Sequence, residues 1–237
     1  MTLKKLFDPM EKGILVIYVL TFLLVPIIQV GAMLLFPDIF EDNAALTTFS
    51  AGLNLFWYLV LTILLFRFAR IYLFKNQWLY FKDNPRRSLL LVLLGFFLMI
   101  SMNMFINTGF TIFGEEVGSE NQAALEELIT GRTFDMVAIV IFAGILAPVA
   151  EEIVFRKGLY GVIYKRFGNA AAILGSGLLF GLIHMTGELT NVIGMIPYFG
   201  LGIILSYIYY FSSKMIFVPI AVHAVMNILS ILALFAM

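Results

Sequence analysis

Apolar runs long enough to cross a bilayer follow one another with little interruption along this chain, and they constrain its fold more than any other feature. A spanning helix needs about 20 mostly apolar residues. Read for that length, the chain offers Gly13–Phe36, Leu53–Phe74, Ser88–Phe113, Phe134–Tyr164, Ala170–Met185, Val192–Phe211 and Met215–Met237, the fourth over-long and the fifth short. The expected fold is all-α: a polytopic membrane bundle of about seven transmembrane helices. Residues 1–133 read as a three-span N-terminal region with one long outer loop, and residues 134–237 as a four-helix core. Composition agrees, with 62% hydrophobic and 13% charged residues against about 45–50% and about 25% in soluble domains. A soluble enzyme, a disordered chain and a nucleic-acid binder are excluded on that ground. The first apolar run is too long for a signal-peptide core and no small-residue cleavage site follows it, so it reads as a retained span.

The net charge is zero, with 15 basic and 15 acidic residues, but the charges are unevenly distributed. In a seven-span layout Lys4, Lys5, Lys12, the stretch from Arg67 to Arg87, the cluster Arg156–Arg166 and Lys214 all fall on one side; of the bases only Arg132 does not. Asp38, Glu41, Asp42, Glu115, Glu116, Glu120, Glu126, Glu127, Asp135 and Glu188 fall on the other. Basic residues mark the cytoplasmic side, so the N-terminus is expected inside, the C-terminus outside, and the protein in a bacterial-type plasma membrane. In the outer loop, roughly Gly114–Thr133, Ser119 and Gln122 resemble a capping box before one or two helical turns over Ala123–Ile129. This reads as an amphipathic surface helix rather than a substrate gate. Gly177, Gly181, Gly194, Gly200 and Gly202 mark close helix packing.

Charge at bilayer depth costs about 2.5–3.5 kcal/mol per residue on insertion scales, so the ionisable groups that persist there are functional candidates. They are few: Glu151, Glu152 and Arg156 in the fourth span, His184 in the fifth, and His223 with Asn227 in the seventh. Glu152 and Arg156 stand four apart and share a helix face as an ion pair. Glu151 is turned about 100° away and is left without that partner. The alternative is a single packing cluster near the interface. Against it, Phe167-Gly168-Asn169 is a turn signal that folds the fourth and fifth spans into a hairpin. Glu151 and His184 lie nearly equal distances from that turn, roughly 25 Å along each arm, so they can meet at one level. His223 and Asn227 share a face, as do Phe180 and His184, whose spacing lets the ring pack beside the imidazole. The chain has no cysteine and no other histidine, which removes thiolate chemistry and confines imidazole chemistry to these two positions.

Glu151-Glu152-x-x-x-Arg156, Phe180-x-x-x-His184 and His223-x-x-x-Asn227 resemble the three motifs of the CPBP family, the CAAX-protease and bacteriocin-processing intramembrane proteases also called Abi. The resemblance covers Glu151–Asn227 and says little about the first three spans. It implies peptide-bond hydrolysis inside a membrane cavity. Glu151 and His184 would activate the attacking water, His223 and Asn227 would hold the oxyanion or a metal, and Glu152 with Arg156 would brace the site. Water attack on an amide needs a base and an oxyanion stabiliser, and these residue types supply both. A divalent metal such as zinc could take Glu151, His184 and His223 as ligands, but the chain lacks the His-Glu-x-x-His pair. A rhomboid-type serine site fits worse, because Leu174-Gly175-Ser176-Gly177 misses the first glycine and leaves Ser176 as a small packing residue. An aspartyl site lacks its membrane aspartates.

The expected function is therefore a membrane endopeptidase acting on a hydrophobic or amphipathic peptide, with the peptide and the bilayer as partners. Two other classes compete: a non-catalytic membrane adaptor or regulator, and a proton-coupled transporter relaying protons through Glu151, His184 and His223. The absence of repeated halves argues against the transporter. Prenylated CAAX substrates rank below general peptide cleavage, since nothing in the sequence reports a pocket for the lipid.

Overall fold

The computed structural model describes residues 9–112, 127–128, 132–184 and 192–236. Among the described residues there is no strand: α1 spans Pro9–Leu35, the short α2 Pro37–Glu41, α3 Asn43–Asp83 and α4 Pro85–Ile112. The stretch Thr133–Ile183 consists of α5 (Thr133–Ile141), a π-turn (Phe142–Leu146), α6 (Ala147–Glu152), a second π-turn (Ile153–Leu159) and α7 (Tyr160–Ile183). Then come α8 (Val192–Phe211) and α9 (Phe217–Phe235). The fold is an all-α membrane bundle, as the apolar runs require.

Local chemistry sets the breaks. Pro37 and Pro85 begin α2 and α4, where a missing N–H costs nothing. Asp42 caps α3 by accepting the Ala44 N–H at 2.9 Å. The second span was expected to end near Phe74, with the basic residues in a connecting loop. Instead α3 runs for 41 residues through that stretch. Lys, Arg, Gln and Leu are good helix formers, and only the Asn84-Pro85 step interrupts the helix.

Among the described residues, five helices are long and apolar enough to cross a membrane: Pro9–Leu35, Asn43–Ala69, Pro85–Ile112, Thr133–Ile183 and Phe217–Phe235, with Met195–Phe211 a shorter apolar helix. The fourth of these, 51 residues long, turns back on itself at Gly168, whose φ of 81° and ψ of −176° lie in a region open only to glycine. Its two arms pack against each other. The Phe155 and Phe180 rings meet edge to face at 5.1 Å, and the Ser176 hydroxyl donates to the Phe155 carbonyl at 3.1 Å. The predicted hairpin is present, and with it the seven apolar arms.

The bundle's two ends differ in charge. At one end Lys165 pairs with Glu11 at 2.9 Å, Arg87 donates to the Phe211 carbonyl at 3.0 Å and Lys157 to the Lys214 carbonyl at 3.2 Å. The starts of α1 and α4, the hairpin and the α8–α9 turn are thereby gathered at the basic end. At the other end Arg132 donates to Thr48 at 2.7 Å and to the Ala44 carbonyl at 2.8 Å, and Thr48 donates to Asp135 at 3.2 Å. The candidate capping box and most of the helical turns over 123–129 lie outside the described residues, as does Glu188.

Ile14, Leu61, Leu65, Ala150, Phe155, Phe180 and Tyr209 pack in one buried core that draws on α1, α3, both hairpin arms and α8. The α7–α8 crossing is close enough that a side-chain carbon at Gly202 would lie 2.9 Å from the Gly177 Cα. Backbones brought this near maximise dispersion contact, which drives helix association in lipid.

Candidate active site

The backbone around the two glutamates is unusual. α6 carries them and is bracketed by two π-turns, which are rare and frequent at functional sites. In the first, the Ala147 N–H bonds to the Phe142 carbonyl, five residues back. The Ala143 carbonyl thereby loses its usual partner. The Asn227 amide takes the place of that donor, with Nδ2 2.8 Å from the Ala143 oxygen. A buried carbonyl left unpaired would cost about 1–3 kcal/mol, so this contact fastens α9 to the turn that leads into Glu151. Pro148, with no N–H to give, stands two residues beyond the turn and favours the wider coil there.

Glu152 and Arg156 form the expected ion pair, and both side chains are fully buried. Nε lies 2.8 Å from Oε2 and Nη2 3.3 Å from Oε1. The guanidinium's other arm donates to Ser176 at 2.7 Å and Ser206 at 2.9 Å. Ser176 is thus a polar anchor for the arginine rather than the small packing residue its sequence context suggested. Arginine offers five donors in a fixed fork; placed this way, it ties α7 and α8 to the second π-turn. The Phe180 ring lies beneath it, 5.6 Å from the guanidinium carbon.

Glu151, one residue earlier, faces elsewhere. Its Oε2 stands 4.0 Å from His184 Nε2 and 3.9 Å from His223 Nε2. The equal-depth expectation for Glu151 and His184 holds, and His223 joins them from α9. Both imidazoles are held from behind. His184 Nδ1 lies 2.7 Å from the Phe180 carbonyl, which can only accept, so Nδ1 carries the hydrogen and donates. His223 Nδ1 lies 3.2 Å from Glu152 Oε1, whose pairing with Arg156 leaves it an acceptor as well. In the neutral rings both Nε2 atoms are then lone-pair nitrogens turned toward Glu151.

Stacking fixes the planes of the rings. His184 lies between Phe180 and Tyr198, each with its centroid 4.5 Å away, and Tyr198 is nearly parallel at 11°. Phe180 also meets His223 edge-on at 5.7 Å. Phe180 therefore touches both histidines and the arginine, which its i, i+4 spacing to His184 showed only in part. Asn227 shares the His223 face, one turn on, but its amide nitrogen is bonded to the Ala143 carbonyl. Tyr198 and Ser206 were not visible as site residues, since a tyrosine or serine in an apolar helix carries no spacing signal.

The donor types suit a divalent cation: two Nε2 lone pairs with their second nitrogens tied back, and one carboxylate. Their spacing does not. Bonds of about 2.0–2.1 Å in a tetrahedral site put ligand atoms roughly 3.4 Å apart, less than the 3.9–4.0 Å seen from Oε2 to each Nε2. Among the described residues no three His, Asp or Glu side chains form a metal-binding group.

Residues 133–229 match the family model described as type II CAAX prenyl endopeptidase Rce1-like. Over 147 residues the chain is 29% identical to the Bacillus subtilis (strain 168) protein named "Putative membrane peptidase YdiL", covering 62% of this chain and 56% of that protein. Over 143 residues it is 34% identical to "Membrane-embedded CAAX protease MroQ" of Staphylococcus aureus (strain USA300), covering 57% and 53%. The chain spans about half the length of the curated relatives it matches. No solved structure matches it. The family match contains every candidate site residue, from Glu151 to Asn227.

Proposed function

We propose that the chain, which resembles the CPBP family of membrane proteases through residues 133–229, is an intramembrane peptidase with Glu151 as its general base. The observation that carries the reading is the convergence on Glu151 Oε2 of two imidazole Nε2 atoms at 3.9–4.0 Å, each with its Nδ1 already committed. A water held among these three acceptors donates one hydrogen to Glu151 Oε2 and the other to an imidazole Nε2. Glu151 takes one proton as the water oxygen adds to the scissile carbonyl carbon. The same carboxyl returns that proton to the departing nitrogen as the C–N bond breaks. His184 orients the water. With its Nδ1–H held by Glu152 and its Nε2 an acceptor, His223 shares in orienting the water, and the second amide hydrogen of Asn227 serves the oxyanion. Glu151, His184 and His223 would be the ligands if a metal were bound; every step above uses the chain's own groups.

The substrate is a hydrophobic or amphipathic peptide, since the base lies within the bundle core, where only a segment tolerating an apolar environment can follow. The test uses purified protein in nanodiscs with a library of such peptides, products being read by mass spectrometry alongside metal analysis of the same preparation. Glu151→Gln and His184→Ala should each lower cleavage by about 10²–10⁴-fold, with abundance and thermal stability close to wild type. Cleavage at the wild-type rate by both variants would end the peptidase reading.

A further inference from the structure

His184 stands where α7 ends. It caps the helix, and its backbone N–H bonds to the Gly181 carbonyl, three residues back, at 3.1 Å. The Phe180 carbonyl, which a continuing helix would have given that N–H, is left for the imidazole, and Nδ1 takes it at 2.7 Å. One hydrogen bond fixes a point on the ring but leaves its plane room to tip, because the carbonyl accepts over a broad range of directions. A group that orients the attacking water must hold its lone pair on one line, and Nε2 must keep facing Glu151 Oε2, 4.0 Å away. The Phe180 ring covers one face of the imidazole, tilted by 32°, and is itself shared with His223 and Arg156. The other face is covered from α8, which carries no motif residue. There Tyr198 lies 11° from parallel with the imidazole, centroids 4.5 Å apart. The packing beside it leaves no slack. A side-chain carbon at Gly181 would lie 3.1 Å from the Phe199 nitrogen and 3.2 Å from its Cα, and one at Gly177 would lie 2.9 Å from the Ile203 nitrogen. Gly177 and Gly181 are one turn apart, so the α8 backbone runs against α7 up to the turn that ends in His184. Tyr198, the neighbour of Phe199, is carried over the imidazole by that approach.

We propose that Tyr198 is a positioning residue for His184: its flat face, set down on the imidazole by the close approach of α8 at Gly181, keeps Nε2 aimed at Glu151. The ring does this and the hydroxyl is not required. The proposal deepens the peptidase reading and rests on it for its catalytic consequence, whereas the orientation of the imidazole can be read without it. It also gives the glycine contacts between α7 and α8 a part in the site, since they set the height of the tyrosine above the histidine.

Two measurements test it. Tyr198→Leu keeps apolar bulk and removes the flat face. It should lower kcat about 10–100-fold, the scale of a reacting group displaced by about 1 Å or less, with KM within about twofold. Tyr198→Phe restores the face and should bring kcat back to within about threefold of wild type. Wild-type kcat in Tyr198→Leu overturns the proposal, and so does a Tyr198→Phe protein as slow as Tyr198→Leu. Should Tyr198→Leu fail to accumulate, Tyr198→Met takes its place with the same expectations. The second measurement needs no activity. The chain has two histidines, so protein labelled with ¹³C-histidine in nanodiscs gives two ring Cε1–H signals, and His223→Gln leaves the one from His184. A proton over the face of an aromatic ring resonates upfield. The His184 signal should therefore move downfield in Tyr198→Leu and keep its place in Tyr198→Phe. A signal indifferent to Tyr198→Leu overturns the proposal whatever the peptide assay gives. Protein that cleaves no peptide yet shows the shift would sink the peptidase reading and leave the hold of Tyr198 on His184 established.

Discussion

Adjacent glutamates with unlike surroundings are the central fact at the scale of single residues. Glu152 carries a fully buried arginine, and Arg156 is in turn shared with Ser176 and Ser206. Burying a charge is expensive, and removing one partner leaves the other uncompensated at about 3–5 kcal/mol. Arg156→Ala should therefore unfold the hairpin or prevent accumulation, read as loss of monodisperse protein on extraction. Arg156→Lys should fall between, because a point charge cannot reach Glu152 and both serines at once. Glu151→Gln, which breaks no such pair, should leave the protein intact. The pairing of Glu152 with Arg156, the placing of Phe180 beside His184 and the meeting of Glu151 with His184 were all legible, because four-residue spacing and rise per residue are fixed by helix geometry. Ser176, Ser206 and Tyr198 were not legible. Their contacts cross between helices, and a chain with 10 tyrosines gives no sign of which one reaches the site.

Elements show the same division between what local pattern encodes and what packing decides. The reversal at Gly168 was readable from Phe167-Gly168-Asn169, since a positive φ with extended ψ admits little but glycine. The two π-turns were not, because an apolar run has the same composition whether its helix carries 3.6 or more residues per turn. Their consequence is specific: the first frees the Ala143 carbonyl for Asn227, and the second lets Phe155 accept from both Tyr160 and Ser176. The length of α3 was missed for a different reason. A run of charges suggests the end of a span, whereas charge ends only the apolar part of a helix. The hairpin carries a test. Gly168→Ala forces an ordinary side chain into a conformation that costs about 1–3 kcal/mol, and should lower the thermal midpoint while reducing cleavage, since both arms must hold Glu151 and His184 level. Gly31→Ala, in α1 with nothing within 4 Å of the new methyl group, should raise or keep the midpoint under the same conditions, as alanine favours helix over glycine by about 1 kcal/mol.

For the whole molecule, composition and charge distribution reach further than any motif. A mean hydropathy of +1.00 excludes soluble folds outright, and the gathering of bases at one end of the bundle is realised in the contacts of Glu11 with Lys165, Arg87 with Phe211 and Lys157 with Lys214. The first three spans, silent in motif terms, supply Ile14, Leu61 and Leu65 to the main core. Their place in the molecule was hidden because helix partnership in lipid depends on shape rather than on hydrophobicity. The direction in which the bundle is inserted follows from its charges. Lys and Arg are retained on the cytoplasmic side, so the end bearing Lys12, Lys165 and Lys214 should face the cytoplasm and the end bearing Glu41 and Arg132 the exterior. The chain has no cysteine, which makes it suited to single-cysteine labelling without background. Lys12→Cys and Glu41→Cys replace exposed residues at opposite ends of α1 and α2. In intact cells a membrane-impermeant maleimide should modify Glu41→Cys and spare Lys12→Cys, and in inside-out vesicles the pattern should reverse. Labelling of Lys12→Cys from outside would invert the bundle and place the basic end, with the hairpin turn, on the external face.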